Sequence, residues 1–182
     1  MLMLEQRIQQ QFFDSADLKY QTAENLSRPI AEAAAALLGA ITGGGKVLVA
    51  GCGAADALAS HFATLLLGRF ERERPPLAAL ALGPGAEKPL QALGHPGDAL
   101  LLLEAGDGSV ARALLGAARE KDMTVVAITG PAASTLREAL GETDVLIAVP
   151  HERPARVLEM QLLALHCLCD AIDLQLLGEQ DP

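Results

Sequence analysis

The chain has 182 residues, 51% of them apolar and 20% charged, enough for one domain with a sizeable core and too apolar for a disordered chain. Lys and Arg number 14 against 23 Asp and Glu, and the net charge of -9 argues against capture of a nucleic-acid backbone. The same charge offers a phosphorylated ligand no general attraction, so any phosphate site must be built locally from backbone N–H groups and hydroxyls.

Cys52, Cys167 and Cys169 form neither a disulfide framework nor a metal-ligand pattern. No apolar run reaches the roughly 18 residues of a membrane span, and the start MLMLEQRIQQQFFDS is too polar and acidic for a secretory leader. A cytoplasmic protein is expected, with no cofactor, no metal, no direct nucleic-acid contact and no membrane contact.

In chain order, residues 2–24 read as a helix with Leu4, Ile8, Phe12 and Tyr20 on one face. A second helix is expected from Ser27, an N-cap with Pro29 close behind, to the glycines at 43–45. An amphipathic helix at a chain end is a first sign of oligomerisation. Lys46–Ala50 reads as an apolar strand, Gly51–Gly53 as a tight turn, and a helix carrying His61 follows. In an open parallel sheet this strand–turn–helix lies at the mouth of the ligand crevice, so ligand contacts are expected among residues 51–61.

The charged segment RFERERPP (69–76) leads to a strand at Leu77–Leu82, and GPGAEKP reads as a turn with at most one helical turn after it. Further strands are predicted at Asp98–Leu103, Met123–Thr129 and Asp144–Val149, with helices at 109–121, 134–141 and 153–177. The pattern predicts a single α/β domain over residues 1–182. It comprises two N-terminal helices (1–42), a parallel core (46–149) and a C-terminal interface helix (153–177). The fold class is a three-layer α/β/α sandwich with a five-stranded, parallel, flavodoxin-like sheet.

The last helix is apolar almost all round over VLEMQLLALHCLC, the mark of burial by the sheet and by another subunit. Glu159, His166, Asp170 and Asp173 fall on one stripe of it, a candidate for proton transfer or for a structural network.

Several stretches resemble the SIS (sugar isomerase) domain family, in the branch that holds phosphoheptose isomerases and the DnaA initiator-associating (DiaA) proteins. GCGAADALASHF is similar to that branch's GNGGSAADAQHF, and RFERERPPLAALAL to RFxxERPxLPAxAL. ALGHPGDALLLL resembles ALGxxGDVLLAI, KDMTVVAITG resembles REMxVVALTG, and RPARVLEMQLLALHCLCDAID resembles xxARIQEVHxxxxHCLCDLID. The resemblance implies a homo-oligomer, a tetramer in this family, with sugar-phosphate pockets between subunits.

It also implies which positions carry chemistry, and many of them differ here. The family's catalytic Glu falls at Leu65, its Gln at Leu158 and a further His at Gln161, leaving His61 and His166. Where members bind zinc through two His, the Glu and the Gln, two ligands remain. In the phosphate turn the family's Asn is Cys52, its Ser is Ala55 and its Asp is Leu58. The loop STSGNS is EAGDGS here, with Ser109 keeping a hydroxyl and Glu104 and Asp107 adding negative charge. The segment between Leu82 and Leu90 is shorter than the family's.

These departures lead to the expectation of a non-catalytic, DiaA-like scaffold that binds DnaA, with Leu176 and Leu177 as the contact. The vestigial pocket is expected at Gly51, Cys52, Gly53, Ala55, Asp107, Gly108 and Ser109. The alternatives are an active phosphoheptose isomerase using His61, Glu159 and His166, converting sedoheptulose 7-phosphate to glycero-manno-heptose 7-phosphate, and a phosphosugar sensor without turnover.

Overall fold

Residues 1–179 are described by a computed structural model. Five strands form one parallel sheet: β1 (Val47–Gly51), β2 (Ala79–Ala81), β3 (Ala99–Glu104), β4 (Thr124–Thr129) and β5 (Val145–Ala148). Their order is β2-β1-β3-β4-β5, with every neighbouring pair parallel. The expected fold class is therefore observed.

Successive side chains of a strand point to opposite faces, and the two cores follow that alternation. On one face Val47, Val49, Leu101, Leu103, Val126 and Ile128 meet three helices, α1 (Leu2–Thr42), α2 (Asp56–Leu67) and α6 (Pro154–Leu177). On the other, Leu48, Ala50, Leu100, Leu102, Val125 and Ala127 meet α3 (Glu87–Leu93), α4 (Ser109–Glu120) and α5 (Ala133–Arg137). A strand covered on both sides has no polar face, which is why β3 is the unbroken run ALLLLE and is buried at every position.

Two expectations about helices need correction. The first 42 residues form one 41-residue helix and not two. Pro29 lies inside it, and Ser27 is no N-cap: its hydroxyl donates back to the Glu24 carbonyl at 2.9 Å, beside the gap that the missing proline N–H leaves. The Arg28–Glu32 pair at 2.8 Å spans the same turn. Burial of Leu26, Ala33, Ala34 and Leu37 against the sheet and α6 holds the helix through the proline. The second correction is α3, which has two turns where at most one was expected. Its Leu90 is fully buried and anchors it to the outer core.

The strand order positions the site. Chain direction across the sheet reverses between β1 and β3, and ligands of open α/β sheets bind outside the carboxyl ends of the strands at such a switch point. The residues that emerge there are Cys52 after β1 and Glu104 at the end of β3. They are neighbours because Gly51 pairs with Leu103 and the Cys52 N–H donates to the Leu103 carbonyl at 2.9 Å.

Candidate functional site at the carboxyl ends of β1 and β3

After β1 the chain makes a single tight turn, Gly53–Ala55, before α2 begins. Gly51 permits that turn by its lack of a side chain: a Cβ there would lie 2.3 Å from the Ala55 carbonyl oxygen. Ala55 itself is fully buried in the inner core, so it shapes the turn and does not line the cleft. After β3, Gly108 adopts a left-handed conformation (φ +81°) that starts α4, and a Cβ there would sit 2.9 Å from the Ala132 Cβ. The Asp107 carboxylate accepts the Ser109 N–H at 3.0 Å. Hydrogen bonds from the Ser109 backbone and hydroxyl hold the exposed Asp107 carboxyl below its ordinary value.

Between these two turns lies an open hollow of about 280 Å³. Cys52, Gly53, Glu104, Asp107 and Ser109 line one side of it, and Pro154 and Leu158 of α6 the other. Glu104 is 4% exposed, and one of its oxygens accepts the Gly106 N–H. Burial, and then the adjacent Glu104 carboxylate, push the Cys52 thiol up to about 12. Cys52 therefore remains an S–H at neutral pH and is no activated nucleophile.

Behind the hollow, Gln161 is fully buried, and its amide donates to the Glu104 carbonyl at 3.1 Å and the Ile128 carbonyl at 2.9 Å. This side chain ties α6 to the ends of β3 and β4. Sequence reading treated position 161 only as a lost histidine. Its signal was a single amide in an apolar helix, which must find partners when buried.

The other expected site residues are elsewhere. His61 of α2 and His166 of α6 do meet, Nε2 to Nε2 at 3.1 Å, with the Phe70 ring beside His166 at 5.4 Å between centroids. His166 is eight residues beyond Leu158, about 12 Å along the helix, so this pair lies away from the hollow of its own chain. Leu65 and Leu158 bring no donor atom, and no group of three or more His, Cys, Asp or Glu gathers among the described residues. Two imidazoles from one chain do not fit the four-ligand zinc site that the resemblance describes.

Glu159 is not brought to the histidines. Its carboxylate faces α1, where it accepts the Ser15 hydroxyl at 2.7 Å and the Arg156 guanidinium. Burial raises its carboxyl, but Ser15 and Arg156 outweigh that and hold it below the ordinary glutamate range. The expected stripe on α6 is broken again at Asp173, which pairs with Arg74 at 2.5 Å, both groups buried. Arg74 also donates to the Leu65 and Leu66 carbonyls at the end of α2, so this pair is a helix clamp. Leu176 and Leu177, the expected DnaA contact, are each 39% exposed in the last turn of α6.

Comparison with known proteins adds the family context. A profile described as "SIS domain" matches residues 11–93. The chain is 54% identical to the phosphoheptose isomerase of Methylibium petroleiphilum, covering 98% of both chains. It is 42% identical to that of Aromatoleum aromaticum, covering 96% of this chain and 97% of the relative. A solved phosphoheptose isomerase from Francisella tularensis superposes with a TM-score of 0.86 at 35% identity, covering 95% of this chain and 99% of the other. The alignment to the Methylibium protein runs over 196 residues, more than this chain contains, so that relative carries residues absent here.

These relatives correct the expectation of a non-catalytic DnaA-binding scaffold. These three relatives, similar over nearly the whole chain, are phosphoheptose isomerases, and nothing in them points to a DnaA scaffold or to Leu176 and Leu177 as its contact. A departure from a motif is not by itself a loss of chemistry. The folded chain still joins His61 to His166 and still forms a cleft at the switch point.

Proposed function

The chain belongs to the SIS domain family, in its phosphoheptose isomerase branch, and from that premise we propose that it is an aldose–ketose isomerase acting on a phosphorylated heptose. The observation that carries this reading is end-to-end identity, 54% over 98% of the chain, to a phosphoheptose isomerase. The reaction is the interconversion of sedoheptulose 7-phosphate and glycero-manno-heptose 7-phosphate. It requires removal of a proton next to a carbonyl, its return to the neighbouring carbon, and a donor to the carbonyl oxygen.

The hollow suits the sugar: it is open, lies at the switch point, and offers the Ser109 hydroxyl, the Cys52 S–H and the Gly53 turn. His61 and His166 supply imidazoles for proton transfer. Their distance from the hollow of the same chain supports a homo-oligomer in which one subunit's histidines complete another's cleft.

The test is turnover of sedoheptulose 7-phosphate by the purified protein, with His166→Ala as control. The wild type should form the aldose, and His166→Ala should be slower by about 10²–10⁴-fold. A wild type that forms no product overturns the proposal, and saturable binding without product would mark a sensor.

A further inference from the structure

Two features of α1 lie on the same side of that helix, joined by steps of three and four residues. In its first half Leu4, Ile8 and Phe12 are large, apolar and 62%, 50% and 73% exposed. In its second half Ala23, Ser27 and Ala31 continue the line, and they are exposed and small. Together with Met160, Leu163 and Ala164 of α6 they line an apolar groove of about 360 Å³. One half of the helix therefore presents uncovered knobs, and the other half presents a groove.

The two halves match in spacing. The large residues recur at every fourth position over 4–12, and the small ones at every fourth position over 23–31. At about 1.5 Å per residue, each set spans about 12 Å. An antiparallel pair of α1 helices, related by a two-fold axis between residues 17 and 18, brings Leu4 level with Ala31. The same register brings Ile8 level with Ser27 and Phe12 level with Ala23. The pairing is isologous, so every match of large against small occurs twice. A parallel pair would set large against large and small against small, which leaves voids at one end.

Charge favours the same register. Lys19, the only charged residue among the described residues that line the groove, comes level with the turn of the second copy that carries Asp14 and Asp17. Contact over residues 4–31 forms a strip about 42 Å long and about 10 Å wide on each copy, about 800 Å² for the pair. The α6 side of the groove adds to this, toward the about 1,200 Å² at which stable interfaces begin.

We propose that the groove between α1 and α6 is the seat for the first half of α1 from a second copy of this chain, held antiparallel with Phe12 against Ala23. The proposal stands on α1 and α6 alone and does not depend on the isomerase reading.

The experiment exchanges large for small across the proposed contact and reads mass by sedimentation over a dilution series. It compares wild type, Phe12→Ala, Ala23→Phe and the double variant Phe12→Ala with Ala23→Phe. Both positions are exposed in the single chain, so all four proteins should keep the same helix content by circular dichroism. The wild type should assemble. Ala23→Phe overfills the groove in both copies and should weaken assembly by about 10²-fold or more, halving the mass on dilution. Phe12→Ala should weaken it by about tenfold or more. The double variant restores large against small and should return to within about tenfold of the wild type, whereas independent sites would add their losses. A monomeric wild type overturns the proposal and leaves the groove to a small apolar molecule or a foreign chain. An assembled wild type whose mass neither single variant changes overturns it as well, as does a double variant no better than the worse single one.

Discussion

Asp98 shows how much one side chain can hold at the end of the sheet opposite the cleft. It is 3% exposed, accepts the Lys46 and His95 N–H groups at 2.9 Å each, and pairs with the Lys46 ammonium at 2.6 Å. Burial works to raise its carboxyl, but the hydrogen bonds and the charge of Lys46 outweigh burial and set it below the ordinary value. A folded-state value below the unfolded one, about 3.9, gives stability that is present above pH 4 and lost as pH falls through the folded value. Asp98→Asn should therefore cost about 2 kcal/mol at pH 7 and much less at pH 3, read by urea unfolding at both pH values. An equal cost at both would show that the charge is not what holds the two strand starts together. Asp98 was legible only as the start of a strand. Its pairing with Lys46, 52 positions away in sequence, required the fold.

At the scale of elements, α1 shows tertiary contact overruling a local signal. Ser27 followed by Pro29 is a sound N-terminal signature, and an isolated peptide would favour a break there. Burial of the helix on both sides of that point favours continuity instead, and burial wins. The proline then remains as a local cost of up to about 3 kcal/mol relative to alanine. Pro29→Ala should preserve the helix and stabilise the protein by about 1–3 kcal/mol, visible as a higher Tm. A lower Tm would mean that the ring packs in a way alanine cannot replace. By contrast, the five strands and the helices after them, α3 excepted, were legible in order from their alternation of apolar runs and glycine turns.

For the whole molecule, α1 is about 60 Å long, twice what spans a small domain. Its apolar packing on the body begins near Leu18, beyond the polar contacts of Gln11 and Ser15 with α6, whereas Leu4, Ile8 and Phe12 are 62%, 50% and 73% exposed on one stripe. Such a stripe is costly in water and suits association with another copy, in line with the oligomer proposed above. The chain is expected to sediment as an oligomer, and Ile8→Asp with Phe12→Asp should shift it to smaller species and reduce turnover together. A monomeric wild type with full turnover would refute the shared-site arrangement.

By itself the sequence determined the fold class, the strand order along the chain, the glycine turn after β1 and family membership, because these are recorded in local periodicity and in long collinear motifs. It did not determine which departures from those motifs matter. Alignment places Leu65 where a glutamate is expected, but only strand register puts Glu104 beside Cys52, and only helix packing turns Glu159 away toward Ser15. Side chains far apart in sequence meet through the sheet and α6, so the composition of the cleft was decided in three dimensions.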